Sequence, residues 1–301
     1  MLSDEVRMEA FRAAIRAKVR PGDVVLDAGT GTGVLAVLAA LAGASRVYAV
    51  ERSKVINVAR RLAAENGCAE KIKFIQGDVR EISLPEKADG VTCEMLGFCG
   101  MGEGIENVLG HIRENKLKSG GWTLPRAMKT FIAPISDRLL YSELFMEGAE
   151  LGMSTESLKD EITQDLWIWN LDRRSFAAEP RPAKEICFET GVDRSPPGGC
   201  VFALGESREI HGIGSWFEAE LAPGISINTA PGPPFTHWSQ SFFPFRHPIR
   251  AEKGDTLHVS LNGIAAADGD FFNWTAELRT GENIKEVRTQ SNTLSYHYLP
   301  D

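Results

Sequence analysis

The chain runs to 301 residues, with 33 Lys and Arg against 41 Asp and Glu, a formal net charge of −8 and a hydrophobic share of 43%. That size and apolar share imply a soluble protein of about two domains, and the acidic balance argues against general nucleic-acid binding, which needs Lys and Arg clustered toward phosphates. No stretch reads as a membrane span, and Met1-Leu2-Ser3-Asp4-Glu5 lacks the basic start and apolar run of a secretion signal, so the expected location is cytoplasmic.

Ser3 with Asp4 and Glu5 marks a helix start, and Met8, Phe11 and Ile15 share one helical face until Pro21-Gly22 breaks the segment. Strands and helices then alternate: strand 24–26, helix 34–42, strand 46–50, helix 53–66, strands 72–75 and 90–93, helix 105–115. This alternation predicts an α/β sheet of the Rossmann type. Beyond Gly120-Gly121-Trp122-Thr123-Leu124-Pro125 the texture changes. A helical insertion is expected over about 136–172, followed by short alternating segments at 186–188, 216–221, 257–261 and 271–278. Turns such as Pro196-Pro197-Gly198-Gly199 and Pro231-Gly232-Pro233-Pro234 separate these segments and favour an antiparallel β domain. The boundary falls near Pro125, giving domains 1–125 and 126–301. Five cysteines, at 68, 93, 99, 187 and 200, form no C-x-x-C or Cys/His pattern, so buried free thiols are expected rather than a metal site or disulfide frame.

The most informative run is Val24-Val25-Leu26-Asp27-Ala28-Gly29-Thr30-Gly31-Thr32-Gly33. An apolar strand empties into a turn with Gly29, Gly31 and Gly33, where the backbone can pass close to a ligand and the helix can pack tightly on the strand. Dinucleotide enzymes use G-x-G-x-x-G so that helix-end N–H groups meet a pyrophosphate. Here the spacing is G-x-G-x-G with an acid two residues ahead, which favours a cationic, phosphate-free ligand. Asp27 suits the ammonium of S-adenosylmethionine, and Glu51, closing the next strand, can accept both ribose hydroxyls. The half-molecule therefore reads as a class I methyltransferase, with an NAD-dependent oxidoreductase disfavoured by the spacing.

After strand 90–93 comes Glu94-Met95-Leu96-Gly97-Phe98-Cys99-Gly100-Met101-Gly102-Glu103, two carboxylates bracketing a glycine-rich loop at the sheet's carboxyl edge. Two anions aimed into one pocket would repel, and their natural complement is a planar cation with several donors, such as a guanidinium.

This loop resembles the double-glutamate loop of the protein arginine N-methyltransferases, and the likeness recurs in order along most of the chain. Met1 to Arg7 is similar to that family's opening motif, 24–33 to its cofactor turn, and Leu124-Pro125-Arg126 to the junction before its β-barrel. Phe235-Thr236-His237-Trp238 is similar to its Thr-His-Trp loop. The resemblance implies S-adenosyl-L-methionine as cofactor, with Arg7 on its carboxylate and Glu51 on its ribose. It makes Glu94 and Glu103 the guanidinium-binding pair, with Glu94 also bordering the cofactor, and it pairs His237 with Asp4. The adenine position, usually Glu, is Arg80 here, so Asp78 takes the amino group and Val79 offers backbone. The glycines at 100 and 102 replace bulkier residues and imply a wider site. The segment 136–172 would be the dimerisation arm of a head-to-tail homodimer, with Leu166-Trp167-Ile168-Trp169 as an apolar patch capping the partner. The substrate implied is an arginine-containing protein or peptide. The alternatives are a small amine or guanidino metabolite, or an inactive cofactor-binding scaffold.

Overall fold

The structure, a computed structural model, describes residues 2–146, 153–266 and 269–298. Its first sheet contains β1 (Val24–Ala28), β2 (Arg46–Glu51), β3 (Ile72–Gln76), β4 (Ala88–Cys93) and β5 (Leu117–Leu124). All five are parallel, in the order β3-β2-β1-β4-β5. Every residue of β1 is buried, as expected for a central strand covered by helices on both faces. The helices of this half are α1 (Glu5–Lys18), α2 (Val34–Ala42), α3 (Ile56–Glu65) and α4 (Ile105–Asn115).

The helix start read at Ser3 to Glu5 is fixed by Asp4, the N-cap of α1, whose carboxylate accepts the Arg7 backbone N–H at 3.0 Å. The strand β5 was not expected at all. Its middle, Lys118-Ser119-Gly120-Gly121, is exposed to half-buried, and only its ends carry the apolar signal.

The second sheet is built from β6 (Ala127–Ile135), β7 (Asp165–Trp169), β8 (Arg181–Cys187), β9 (Val192–Asp193), β10 (Cys200–Ala203), β11 (Arg208–Ala222), β12 (Ile225–Asn228), β13 (Gln240–Ala251), β14 (Thr256–Ala266), β15 (Gly269–Thr280) and β16 (Asn283–Tyr298). Their order is β10-β14-β15-β16-β7-β13-β11-β6-β8-β9, with β12 added to β11. Pairing is antiparallel except between β16 and β7. The sheet curls like a barrel, and Cys200 on β10 donates to the Pro182 carbonyl of β8 at 3.3 Å near its two ends. Phe217, Phe243, Phe245 and Phe272 are fully buried in its interior. At the junction, the Arg126 guanidinium binds Glu189 at 3.1 Å and Glu220 at 2.8 Å.

Between β6 and β7 lie α5 (Arg138–Leu144) and α6 (Leu158–Gln164), while residues 147–152 of the expected arm lie outside the described residues. The apolar run Leu166-Trp167-Ile168-Trp169 is not part of a helical arm. It is β7, paired with β13 and β16, with Leu166 and Ile168 buried. Alternating burial in β7 suits a strand, and the sheet supplies a partner on each side that periodicity alone could not reveal.

Candidate active site

In the order β3-β2-β1-β4-β5 the connections run outward in opposite directions from β1 and β4, so a crevice opens beyond their carboxyl ends. The glycine turn leaves β1 there, and the acid loop leaves β4. The turn is tied to β2 by the Thr30 N–H, which donates to the Val50 carbonyl at 2.9 Å. Gly29, Gly31 and Gly33 all have positive φ. Gly29 lies under Met95, and at Gly31 an added Cβ would meet no atom closer than 3.9 Å. Gly33 packs against Ala59 of α3, where a Cβ would come within 2.7 Å; the contact is helix on helix, not the helix-on-strand packing expected.

Asp27 departs more from expectation. It is 1% exposed, accepts hydroxyls from Thr30 and from Thr92, the latter at 2.6 Å, and burial raises its pKa against those donors. Its carboxylate therefore orders the turn from beneath, each oxygen accepting one threonine hydroxyl. Thr92 is its register partner across β1 and β4, a relation that only strand pairing reveals. Glu51 does sit at the crevice, accepting the N–H groups of Gly31 at 3.1 Å and Ser53 at 2.8 Å. Beside it, the Gly77 N–H donates to the Glu51 carbonyl at 3.0 Å, which brings the start of the 77–80 segment to the same edge. Asp78 is forked by Arg80, at 3.0 Å from Nε and 2.6 Å from Nη2, which holds its pKa down at about 2. Val79 is buried.

The acid loop is folded back on itself. Gly97 lies so close to Gly102 that a Cβ would come within 2.8 Å of the Gly102 Cα. Gly100, at φ +71, is pressed against Met128 and against Phe217, whose Cβ would lie 3.0 Å from an added one. The Cys99 carbonyl accepts the Thr130 hydroxyl at 2.6 Å. The glycines at 100 and 102 are both buried: Gly100 serves close packing onto the barrel, and Gly102 lies against Gly97 within the loop.

Glu94 is 12% exposed and forms an ion pair with Arg7, itself 6% exposed. The Arg7 guanidinium lies 4.6 Å above the Trp238 ring and 3.2 Å from His237 Nε2. Arg7 thus bridges both domains, from Glu94 on the first to His237 and Trp238 on the second. Burial pulls its pKa down to about 10, against the charges of Asp4 and Glu103, so it stays protonated at neutral pH. Glu103 is exposed, yet its charge acts on both Arg7 and the buried Cys93 thiol. Asp4 and His237 meet as expected, with Nδ1 and the His237 N–H each 3.1 Å from Asp4 Oδ2. Burial would raise the Asp4 pKa, but the N–H donors of Arg7 and His237 outweigh it and the net shift is downward. Burial and Arg7 lower the His237 pKa against the bond to Asp4, leaving a neutral imidazole at pH 7.

The sequence reading gave Trp238 no role of its own. It is buried edge-on to Phe217, with ring centroids 5.1 Å apart, and forms the platform under Arg7. Among the described residues, no cluster of His, Cys, Asp or Glu is arranged to hold a metal, and no helix is long and apolar enough to cross a membrane.

Comparison with known proteins gives this geometry its context. A methyltransferase-domain family matches residues 25–121, and the arginine methyltransferase oligomerization subdomain matches 126–270. Protein arginine N-methyltransferase PRMT10 of Arabidopsis thaliana is 31% identical over 300 residues, covering 87% of this chain and 78% of that protein. The chain belongs to the protein arginine N-methyltransferase family. Protein arginine N-methyltransferase 6 of Xenopus laevis is likewise 31% identical over 270 residues, covering 84% of this chain and 79% of its own. The crystal structure of the Arabidopsis protein arginine methyltransferase 10 superposes with a TM-score of 0.79 at 27% identity, covering 98% of this chain and 96% of that one. The chain is thus an S-adenosylmethionine-dependent arginine methyltransferase, a Rossmann-type domain followed by an antiparallel barrel-like domain.

Proposed function

We propose that Glu94 and Glu103 receive the guanidinium of an arginine in a protein or peptide, and that the boundary between the cofactor domain and the substrate domain lies at Pro125. The observation that carries this reading is the Glu94 carboxylate already paired with a guanidinium, that of Arg7, over the Trp238 face. The crevice suits the cofactor: Arg7 Nε is buried without a hydrogen-bond partner and matches a carboxylate, Glu51 keeps lone pairs for ribose hydroxyls, and Gly31 leaves open space. Asp78 and Val79 would border the adenine, with Arg80 orienting Asp78, and Asp27 with Gly29 and Gly33 shapes the turn.

When bound, S-adenosylmethionine supplies an electrophilic methyl on a sulfonium. A protonated guanidinium is a poor nucleophile, so the protein must orient one nitrogen in line with that methyl. Glu94 and Glu103, bonding unequally, draw positive charge toward the other nitrogens and leave electron density on the attacking one. The surplus proton passes to Glu103 or to the neutral His237 held by Asp4. The experiment is mass spectrometry of arginine, lysine and free guanidino acceptors incubated with cofactor. Methylation confined to the arginine peptide is expected; methylation of free guanidino compounds alone would favour the metabolite reading, and cofactor binding without any product the scaffold.

We further infer a cytoplasmic, head-to-tail homodimer. Leu139, Met146, Met153 and Leu158 around the arm are exposed, and Leu2, Met8 and Leu38 line a concavity on the outer side of α1 and α2 that such a surface fits. Sedimentation should give twice the chain mass, and Leu139→Glu should reduce it.

A further inference from the structure

Two concavities open on the barrel side of the acid loop. The first, about 450 Å³, is walled by Met101 and Gly104, which bracket Glu103, and by Ser260 to Ile264 of β14. The second, about 400 Å³, lies across β14, β15 and β16. Ser260 and Asn262 line both, so the two adjoin at these residues and are taken together as one trough, bordered at its inner end by the chain neighbours of Glu103.

Strand register sets the floor of its outer half. Ser260 pairs with Thr275 and Thr275 with Thr289; Asn262 pairs with Asn273 and Asn273 with Ser291. Residues two apart on a strand share a face, as do cross-strand partners, so these side chains form two adjacent rows. The alternate positions Leu261, Phe272, Trp274 and Ala276 are buried on the other face. The rows beyond are different: Ile264 with Phe271 on one side, His258 with Glu277 and Val287 on the other. In a chain of net charge −8, this is a patch of hydroxyls and carboxamides only. In the first concavity the Lys184 ammonium is already neutralised between Glu106 at 3.0 Å and Asp193 at 3.1 Å.

A carboxamide offers a donor and an acceptor side by side, the same pair that a peptide unit presents, and a hydroxyl does likewise. An uncharged row gives up water at less cost than an ionic one and selects neither acids nor bases. Across three strands it spans about 10 Å, the length of about three extended residues. We infer that this trough carries the substrate polypeptide on one side of its target arginine, holding uncharged residues through their backbone by the rows of Asn262 and Ser260. The inference rests on the reading of Glu94 and Glu103 as the guanidinium site.

The test uses the full chain and two synthetic peptides with one central arginine. The short peptide has two Gly or Ser residues on each side, and the long one has ten. The double variant Asn262→Ala with Asn273→Ala alters exposed side chains only. It should raise KM for the long peptide about tenfold, while kcat, KM for the short peptide and the calorimetric Kd of S-adenosylhomocysteine stay unchanged. An unaltered KM for the long peptide, or the same rise for both, overturns the trough. Fluorescence anisotropy with the labelled long peptide separates the two ideas. Binding that the variant loses, with no turnover by the native chain, removes the methyl-transfer reading and keeps the trough. Neither binding nor turnover removes both.

Discussion

The turn after β1 and the loop after β4 are both glycine-rich and both leave the carboxyl edge of the sheet at the crevice, yet Gly31 of the turn and Gly100 of the loop have opposite surroundings. Gly31 borders open space, whereas Gly100 is pressed onto Met128 and Phe217. The missing Cβ leaves space free in one segment, and in the other it lets an acid-bearing loop lie against a second domain. Glycine content therefore does not measure flexibility; what a Cβ would touch does.

The largest expected effect sharpens that contrast. Glu94→Gln should lower kcat by about 100-fold or more, the scale of losing a group that acts on developing charge, while the Kd for S-adenosylhomocysteine by calorimetry moves little. A matched loss of both would make the acid loop a cofactor element and erase the distinction. Next, Gly100→Ala combines a left-handed backbone with overpacking and should cost about 2–4 kcal/mol in urea unfolding. Gly31→Ala, strained but unobstructed, should cost about 1–2 kcal/mol and weaken cofactor binding instead. Equal stability losses would break the comparison.

A third prediction concerns the buried acid beneath the turn. Thr92→Val removes one of the two hydroxyls on Asp27 and should destabilise by about 1–3 kcal/mol. Because the folded pKa of Asp27 is raised, the native state takes up a proton before the unfolded chain does. The cost of the buried charge is full above the folded value and shrinks as pH falls through it. The deficit of the variant, read from urea midpoints across pH, should therefore shrink as pH is lowered toward the unfolded carboxylate range.

The smallest effect belongs to His237, which reaches the acid loop from the barrel. Its pKa is lowered, so the acid limb of the kcat profile should lie below pH 6.5, and His237→Gln should flatten that limb with a loss within about tenfold. Stability from its neutral form is complete above the unfolded value and is lost as pH falls toward the depressed one. An acid limb at or above 6.5 in the native chain would separate His237 from the proton's path.

Local chemistry made half of this molecule legible. Residues 34–42 and 105–115 form the expected helices, and the strand ends place the glycine turn and Glu94 at one sheet edge, because parallel α/β units join neighbours through short connections. The barrel resisted such reading. The long strands β6, β13 and β16 were not expected, and Leu166 to Trp169 was assigned to a helical arm, because its pairing partners lie far away in the chain. That Asp27 is buried and bonded to Thr92, one strand over, could be read only from strand pairing. Residue order alone singled out the groups that could do chemistry here: two acids, a glycine turn and a histidine in fixed sequence. Only the tertiary structure decided that Arg7 pairs with Glu94 over the face of Trp238, since these contacts join residues more than 80 and 230 positions apart and depend on how one domain closes on the other.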